Sequence, residues 1–117
     1  MINLIKKITL IAVVSSLSFS NVAEAATPYE TLKKNLSTSV VRYEKMSLTY
    51  SDRAKSDKIN AKFYLKASDE YKSLSKTAKS LSTKLTKKNV ASIRKQSIKM
   101  HKDALKIYKY LQDNVKK

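Results

Sequence analysis

Glycine is absent from all 117 residues of this chain, and the only proline is Pro28. Tight turns with positive backbone φ and loops that approach a phosphate closely both favour glycine, so hairpins, phosphate-cradling loops and dinucleotide-binding fingerprints are disfavoured. A helical chain tolerates this composition best, because serine, asparagine and lysine can make its turns. The sequence therefore predicts an all-α protein.

Residues 1–25 have the pattern of a secretory signal peptide. Two lysines form a charged start, residues 8–19 are mostly apolar, and Ala23-Glu24-Ala25 is a small-x-small cleavage site. The apolar stretch is about 12 residues long, below the roughly 20 that span a bilayer as a helix. We expect the leader to be removed, which leaves residues 26–117 as a secreted, extracellular domain with no transmembrane segment. A retained membrane anchor is the alternative.

The domain that remains after cleavage is small and strongly basic. Its formal net charge is +15, against +16 for the whole chain, and its only arginines are Arg42, Arg53 and Arg94. Lysine is a hydrated point charge, whereas arginine is preferred for bidentate recognition of phosphates or bases, so the bias favours a diffuse electrostatic surface. A genome that prefers lysine would give the same composition. Because the chain has no cysteine, helix packing alone must hold the domain, and thiol chemistry is excluded.

Three segments carry apolar residues at helical spacing, and the first begins with a capping box, Thr27-Pro28-Tyr29-Glu30. Short polar connections, of which residues 51–57 are the first, favour antiparallel neighbours. The sequence therefore predicts a three-helix antiparallel bundle. A break at Ser68-Asp69-Glu70 would give four helices instead. The predicted helices cover residues 28–50, 58–85 and 90–115.

No set of side chains suited to catalysis or metal binding is apparent in the sequence. His101 is the only histidine, and neither a second histidine nor a cysteine accompanies it. Asp69 and Glu70 are adjacent, so on a helix they point about 100° apart and do not converge as an acid/base pair. Met46 and His101 could ligate a haem iron, but nothing else describes a haem pocket. We expect a non-enzymatic protein with a structural His101, no cofactor and no small-molecule substrate.

A ridge of five lysines is the most ordered feature of the mature chain. Their spacing of four, three, four and three residues places them in a row about 21 Å long, opposite the apolar face of the third helix. Four neighbouring like-charge pairs oppose folding by about 1–2 kcal/mol in total, which Asp103 and Asp113 relieve in part. An acidic partner would turn this repulsion into attraction, although a solvated outer face explains the pattern equally well. The lysine ridge consists of Lys95, Lys99, Lys102, Lys106 and Lys109.

Several apolar residues lie off the main stripes of the predicted helices. These residues would either contact the third helix or cover the edges of the core. Tyrosine anchors surrounded by lysine are also typical of binding surfaces. On that interpretation, the candidate partner-binding residues are the lysine ridge together with Tyr64, Leu65 and Tyr110.

The chain resembles the small secreted immune-evasion proteins of Gram-positive cocci, especially the staphylococcal complement inhibitor family. The shared features are the leader that ends in Ala23-Glu24-Ala25, a short mature chain without cysteine, and three basic helices that end in Tyr108-Lys109-Tyr110-Leu111 and Val115-Lys116-Lys117. The likeness is one of architecture and composition, and no binding residues follow from it. It implies a virulence-associated inhibitor that occludes a host-defence protein. The alternative is a polyanion binder acting on nucleic acid, a teichoic polymer or an anionic lipid surface.

Overall fold

The computed structural model describes residues 27–116, which form three helices: α1 (Pro28–Ser56), α2 (Ala61–Lys84) and α3 (Val90–Asn114). The helices form an elongated bundle of 48 × 23 × 18 Å. Within residues 27–116 there is no strand, so the predicted all-α three-helix bundle is confirmed. The predicted signal peptide lies outside the described residues. None of the three helices is long and apolar enough to cross a membrane.

The start of α1 follows the predicted capping box, but its end does not follow the prediction. The hydroxyl of Thr27 accepts a hydrogen bond from the amide of Glu30 at 3.2 Å. The helix then continues to Ser56, so the predicted end at residue 50 and the predicted loop at residues 51–57 are wrong. Buried Ala54 lies four residues after Tyr50 and keeps the core-facing row intact. Polar residues on the exposed side of a helix do not end it.

The other two helices lie close to their predicted positions. α2 runs without interruption through Asp69 and Glu70, which excludes the four-helix alternative. It begins three residues later than predicted, and Ile59 therefore lies in the preceding turn, where its side chain is 78% exposed. α3 begins at the predicted residue and ends one residue earlier than predicted.

Side-chain hydrogen bonds build both turns without glycine, and no described residue has a positive φ. In the first turn, the carboxylate of Asp57 accepts from the backbone and side-chain amides of Asn60, at 3.2 and 2.9 Å. The second of these bonds, with the side-chain amide of Asn60, is the main cause that lowers the pKa of Asp57. In the second turn, Asn89 accepts from the amide of Thr86 at 2.7 Å and donates to the carbonyl of Lys84 at 2.9 Å. Asn89 occupies the N-cap position of α3, but its side chain stabilises the turn and makes no capping hydrogen bond to the helix.

The side chain of Asn60 also ties the end of the bundle to the first turn. Its amide nitrogen donates to the carbonyl of Lys116, and its oxygen accepts from the amide of Lys116, both at 2.8 Å. Asn60 is buried, and the backbone amide and carbonyl of a single residue, Lys116, satisfy both polar ends of its side chain. The segment after α3 is therefore fixed beside the turn between α1 and α2.

The helices α1 and α2 pack against each other through small residues. The hydroxyl of Ser68 donates to the carbonyl of Ser47 at 2.7 Å, and the hydroxyl of Ser75 donates to the carbonyl of Val40 at 2.9 Å. A side chain as short as serine reaches the opposite backbone only where two helices approach closely. The residue numbers run in opposite directions along the two helices, so the pair is antiparallel. α3 packs mainly against α2 and more sparsely against α1.

Four buried tyrosines stack in the centre of the bundle. Rings from α1 and α2 alternate in the order Tyr64, Tyr50, Tyr71 and Tyr43, with centroids 6.0, 5.7 and 6.0 Å apart and planes within 24° of parallel. Offset stacking at such distances is a favoured geometry for aromatic rings. Aliphatic residues of all three helices surround the column and complete the core.

Candidate binding surfaces

The five side chains of the lysine ridge are all exposed on α3. The buried residues of that helix include Ile93, Met100 and Ile107, which lie on the opposite side by helical periodicity. One lysine of the ridge is paired: the ammonium of Lys106 lies 3.7 Å from the carboxylate of Asp103, and both groups are exposed. An exposed pair of this kind contributes little to stability. The ridge therefore forms a solvated row of positive charge on the side of α3 opposite its buried residues.

Tyr64 does not lie on the surface, so the prediction that it anchors a partner is wrong. Its side chain is 3% exposed and stacks on Tyr50 inside the bundle. Burial raises the pKa of its hydroxyl, with a further increase from the charge of Asp57. Tyr64 lies seven residues before Tyr71, which is also buried in the core. This spacing of seven residues is the signal that could have assigned Tyr64 to the core.

Tyr110 lies beside the lysine ridge and is only partly exposed. Its ring meets the ring of Phe63 edge to face, with centroids 6.1 Å apart, and the ammonium of Lys66 lies 4.6 Å from its centroid. Tyr110 and Lys106 line a shallow groove of about 430 Å³ between α2 and α3, which also contains Glu70 and Asp103. The structure therefore brings Tyr110 together with one end of the ridge.

Leu65 is half exposed, at 50%, but it lies in a different place from the ridge. It lines a groove of about 720 Å³ whose walls come only from α1 and α2. Because α3 packs on the other side of this helix pair, the predicted binding residues do not form one site. They divide into the ridge with Tyr110, the separate residue Leu65, and the buried residue Tyr64.

The groove between α1 and α2, hereafter the α1–α2 groove, was not identified from the sequence. Small residues form its floor, including Ser47, Ser68 and Ser75, and Leu48 stands at its edge with 61% of its side chain exposed. The signal was present in the sequence: Ser68, Ser75 and Ser82 recur every seven residues along one side of α2. Small residues at that spacing permit close helix packing and leave a shallow channel above the contact.

His101 is a buried structural residue, as predicted, and a hydrogen bond joins it to α1. Its side chain is 3% exposed, and its Nδ1 lies 2.6 Å from the hydroxyl oxygen of Tyr43. Burial lowers the pKa of His101 to about 4, and the positive charge of Arg42 acts in the same direction. Burial also raises the pKa of the Tyr43 hydroxyl, while Arg42 opposes that increase. Both groups are therefore neutral near pH 7, and neither reaches solvent to exchange a proton with a substrate.

Within residues 27–116, no three histidine, cysteine, aspartate or glutamate side chains are grouped so that they could hold a metal ion. In this part of the chain, the basic faces and the two grooves are the candidate binding surfaces. Comparisons with protein-family models, curated proteins and solved structures found no match to the chain.

Proposed function

We propose that the chain is a secreted, non-enzymatic interaction protein that docks the lysine ridge of α3 on an acidic host-defence protein and inhibits it. The observation that carries this proposal is the exposure of all five ridge lysines on one side of one helix. Tyr110 supplies an aromatic contact at the edge of the same surface. The resemblance to secreted complement inhibitors supports an inhibitory role.

The energetics of the ridge favour a charged partner. Repulsion between neighbouring ridge lysines costs the free protein about 1–2 kcal/mol, and Asp103 pairs with only one of the five. Carboxylates on a partner would remove this repulsion and add attraction, and the field of the ridge would speed the encounter. Tyr110 would add apolar contact area to an interface that is otherwise electrostatic.

A second candidate function is polyanion binding, and the distribution of lysines on α2 favours it. Lys58, Lys62 and Lys66 follow one another near the start of α2, and Lys72, Lys76 and Lys79 follow further along. All six are exposed, so positive charge extends beyond α3. A nucleic acid, a teichoic polymer or an anionic lipid surface requires no single docking face.

The experiment compares a ridge variant with a control variant of equal charge. The ridge variant is K95Q/K99Q/K102Q/K106Q/K109Q, and the control is K34Q/K45Q/K58Q/K87Q/K88Q, whose lysines are exposed elsewhere. Each immobilised protein is exposed to host serum and neutrophil extract at about 0.15 M salt, and the retained proteins are identified. We expect one acidic protein to be retained by the wild type and the control but lost from the ridge variant. Its activity should decrease when the wild type is added.

The same variants distinguish polyanion binding from docking on a protein partner. If the ridge binds duplex DNA through five phosphates, the logarithm of affinity should fall with the logarithm of salt concentration at a slope of about −4.5. Equal losses in the two variants, with only nucleic acid or anionic polymer recovered, would contradict the docking proposal and support polyanion binding. Substitution of Tyr110 by alanine should weaken binding to a protein partner and leave polyanion binding unchanged.

A further inference from the structure

The α1–α2 groove is a second surface, and its shape suits an α-helix. Its lining runs from Ser37 to Ser51 along α1 and from Leu65 to Thr83 along α2. The α1 side extends over about 21 Å, or four helical turns. On the opposite side of the same helix pair, α3 already packs as a third helix. The groove is therefore a second side of this helix pair on which a helix can pack, and no described residue of the chain occupies it.

An apolar side chain can pack on the floor of the groove without leaving the serine donors there unpaired. The hydroxyls of Ser68 and Ser75 donate to carbonyls of α1 at 2.7 and 2.9 Å. Since these donors are already used, an occupant need not supply acceptors for them. Leu48 of α1 and Leu65 of α2 lie on opposite sides of one end of the groove, and they are 61% and 50% exposed. Covering them would bury apolar surface.

The other end of the groove is basic. Lys72, Lys76 and Lys79 form one row on α2 and are exposed, and none of them forms an ion pair with a described carboxylate. Two acidic residues, Glu44 and Asp69, also line the groove, but by helical rise they lie nearer the leucine end than Lys76 and Lys79 do. The surface thus changes along its length from aliphatic to positively charged.

We infer that the α1–α2 groove binds an amphipathic helix of a partner protein that carries aliphatic side chains at one end and carboxylates at the other. This is the helix-in-groove mode of recognition, in which apolar side chains give affinity and flanking charges fix orientation. By helical rise, Leu65 lies about 10 Å from Lys72 and about 21 Å from Lys79. The carboxylates of the occupant therefore lie two to four turns from its aliphatic anchors.

Charge decides against a second copy of the chain as the occupant. Each mature copy carries a net charge of +15, so two copies would repel each other while placing more lysines beside Lys76 and Lys79. An acidic helix is instead attracted to these lysines. The inference is independent of the proposed role of the ridge, because the groove and the ridge share no residue.

The test uses a fluorescein-labelled synthetic helix of about 20 residues, long enough to span the groove. One face carries leucines in one half and glutamates in the other, and a control peptide carries glutamine in place of glutamate. Binding to the purified protein is followed by fluorescence anisotropy at about 0.15 M salt. We expect saturable binding of the acidic peptide and binding weaker by about tenfold or more for the control peptide.

Three protein variants locate the site. L48Q/L65Q should weaken binding about tenfold or more, because it removes the aliphatic contacts, and K72Q/K76Q/K79Q should weaken it about fivefold or more. K95Q/K99Q/K102Q makes the same charge change on the ridge and should alter affinity less than about twofold. All eight side chains are exposed, and circular dichroism checks that each variant remains helical.

A binding-site map from amide chemical shifts of the wild-type protein makes the test independent of the variants. The peptide should shift the signals of Val40, Leu48, Leu65 and Ser75 and leave those of the ridge unchanged. Equal weakening by the two lysine triples, no effect of L48Q/L65Q, or no saturable binding would each overturn the inference. So would a dimer in sedimentation equilibrium that L48Q/L65Q abolishes, because the occupant would then be a second copy of the chain.

Discussion

Acidification should destabilise this protein through His101, the histidine buried between α1 and α3. Its pKa is about 4 in the folded protein, against an ordinary value of 6.5. The unfolded chain therefore takes up the proton first as the pH falls. The contribution of neutral His101 to stability is fully present above pH 6.5, decreases between pH 6.5 and 4, and is lost below that. A difference of 2.5 pKa units corresponds to about 3 kcal/mol.

That loss is large for a domain of this size, whose total stability is expected to be about 5–15 kcal/mol. The physical cause is the burial of a positive charge. Protonated His101 can donate through Nδ1 to the hydroxyl of Tyr43, which lies 2.6 Å away, so this hydrogen bond persists after protonation. Desolvation of the imidazolium and repulsion from Arg42 remain uncompensated.

The measurement is urea unfolding, followed by circular dichroism, at several pH values between 7.5 and 4. His101→Gln is the matched control, because glutamine can hydrogen-bond Tyr43 but does not titrate. The wild type should lose about 3 kcal/mol more than the variant over this range. Protonation of carboxylates is common to both proteins; that of Asp57, whose pKa is lowered, removes stability only at the acidic end. Parallel losses in the two proteins would refute the reasoning.

Three further predictions concern residues that hold the fold. Asn60→Ala should lower the free energy of unfolding by about 2 kcal/mol and speed hydrogen exchange at the amide of Lys116; an unchanged exchange rate would contradict the described contact. Ser68→Leu should destabilise the close contact of α1 and α2 by about 1–3 kcal/mol, whereas Ser80→Leu on the exposed side of α2 should change urea stability by less than about 0.5 kcal/mol. Tyr64→Ala should cost about 3–5 kcal/mol in urea unfolding, and a normal melting curve for this variant would show that its ring is not part of the core.

Helical periodicity was sufficient to predict the three helices, because each helix has a continuous row of buried side chains. Leu36, Tyr43 and Tyr50 on α1, and Ile93, Met100 and Ile107 on α3, all repeat at seven residues. The same periodicity was less informative at helix ends. The last turn of α1 is polar and was predicted as a loop, since only Ala54 continues the buried row there.

The arrangement of the helices relative to one another was harder to predict. The pairing of Tyr43 with His101 joins residues 58 positions apart, and the periodicity of a single helix does not encode that register. Serine was expected in turns, whereas Ser68 and Ser75 lie at the contact of α1 and α2 and bond to the backbone of α1. The exposure of the lysine ridge followed directly from its spacing. The separation of Leu65 from that ridge required the packing of all three helices.

The two hydrogen bonds between Asn60 and Lys116 form late in folding during synthesis, because the two residues are 56 positions apart. As the polypeptide leaves the ribosome, α1 and α2 can associate as soon as both have emerged. The buried amide of Asn60, however, gains this peptide partner only when translation has passed Lys116. A nascent chain halted earlier keeps the bonds between Asp57 and Asn60 in the first turn, but the end of its third helix is not yet joined to that turn and stays accessible to chaperones and proteases.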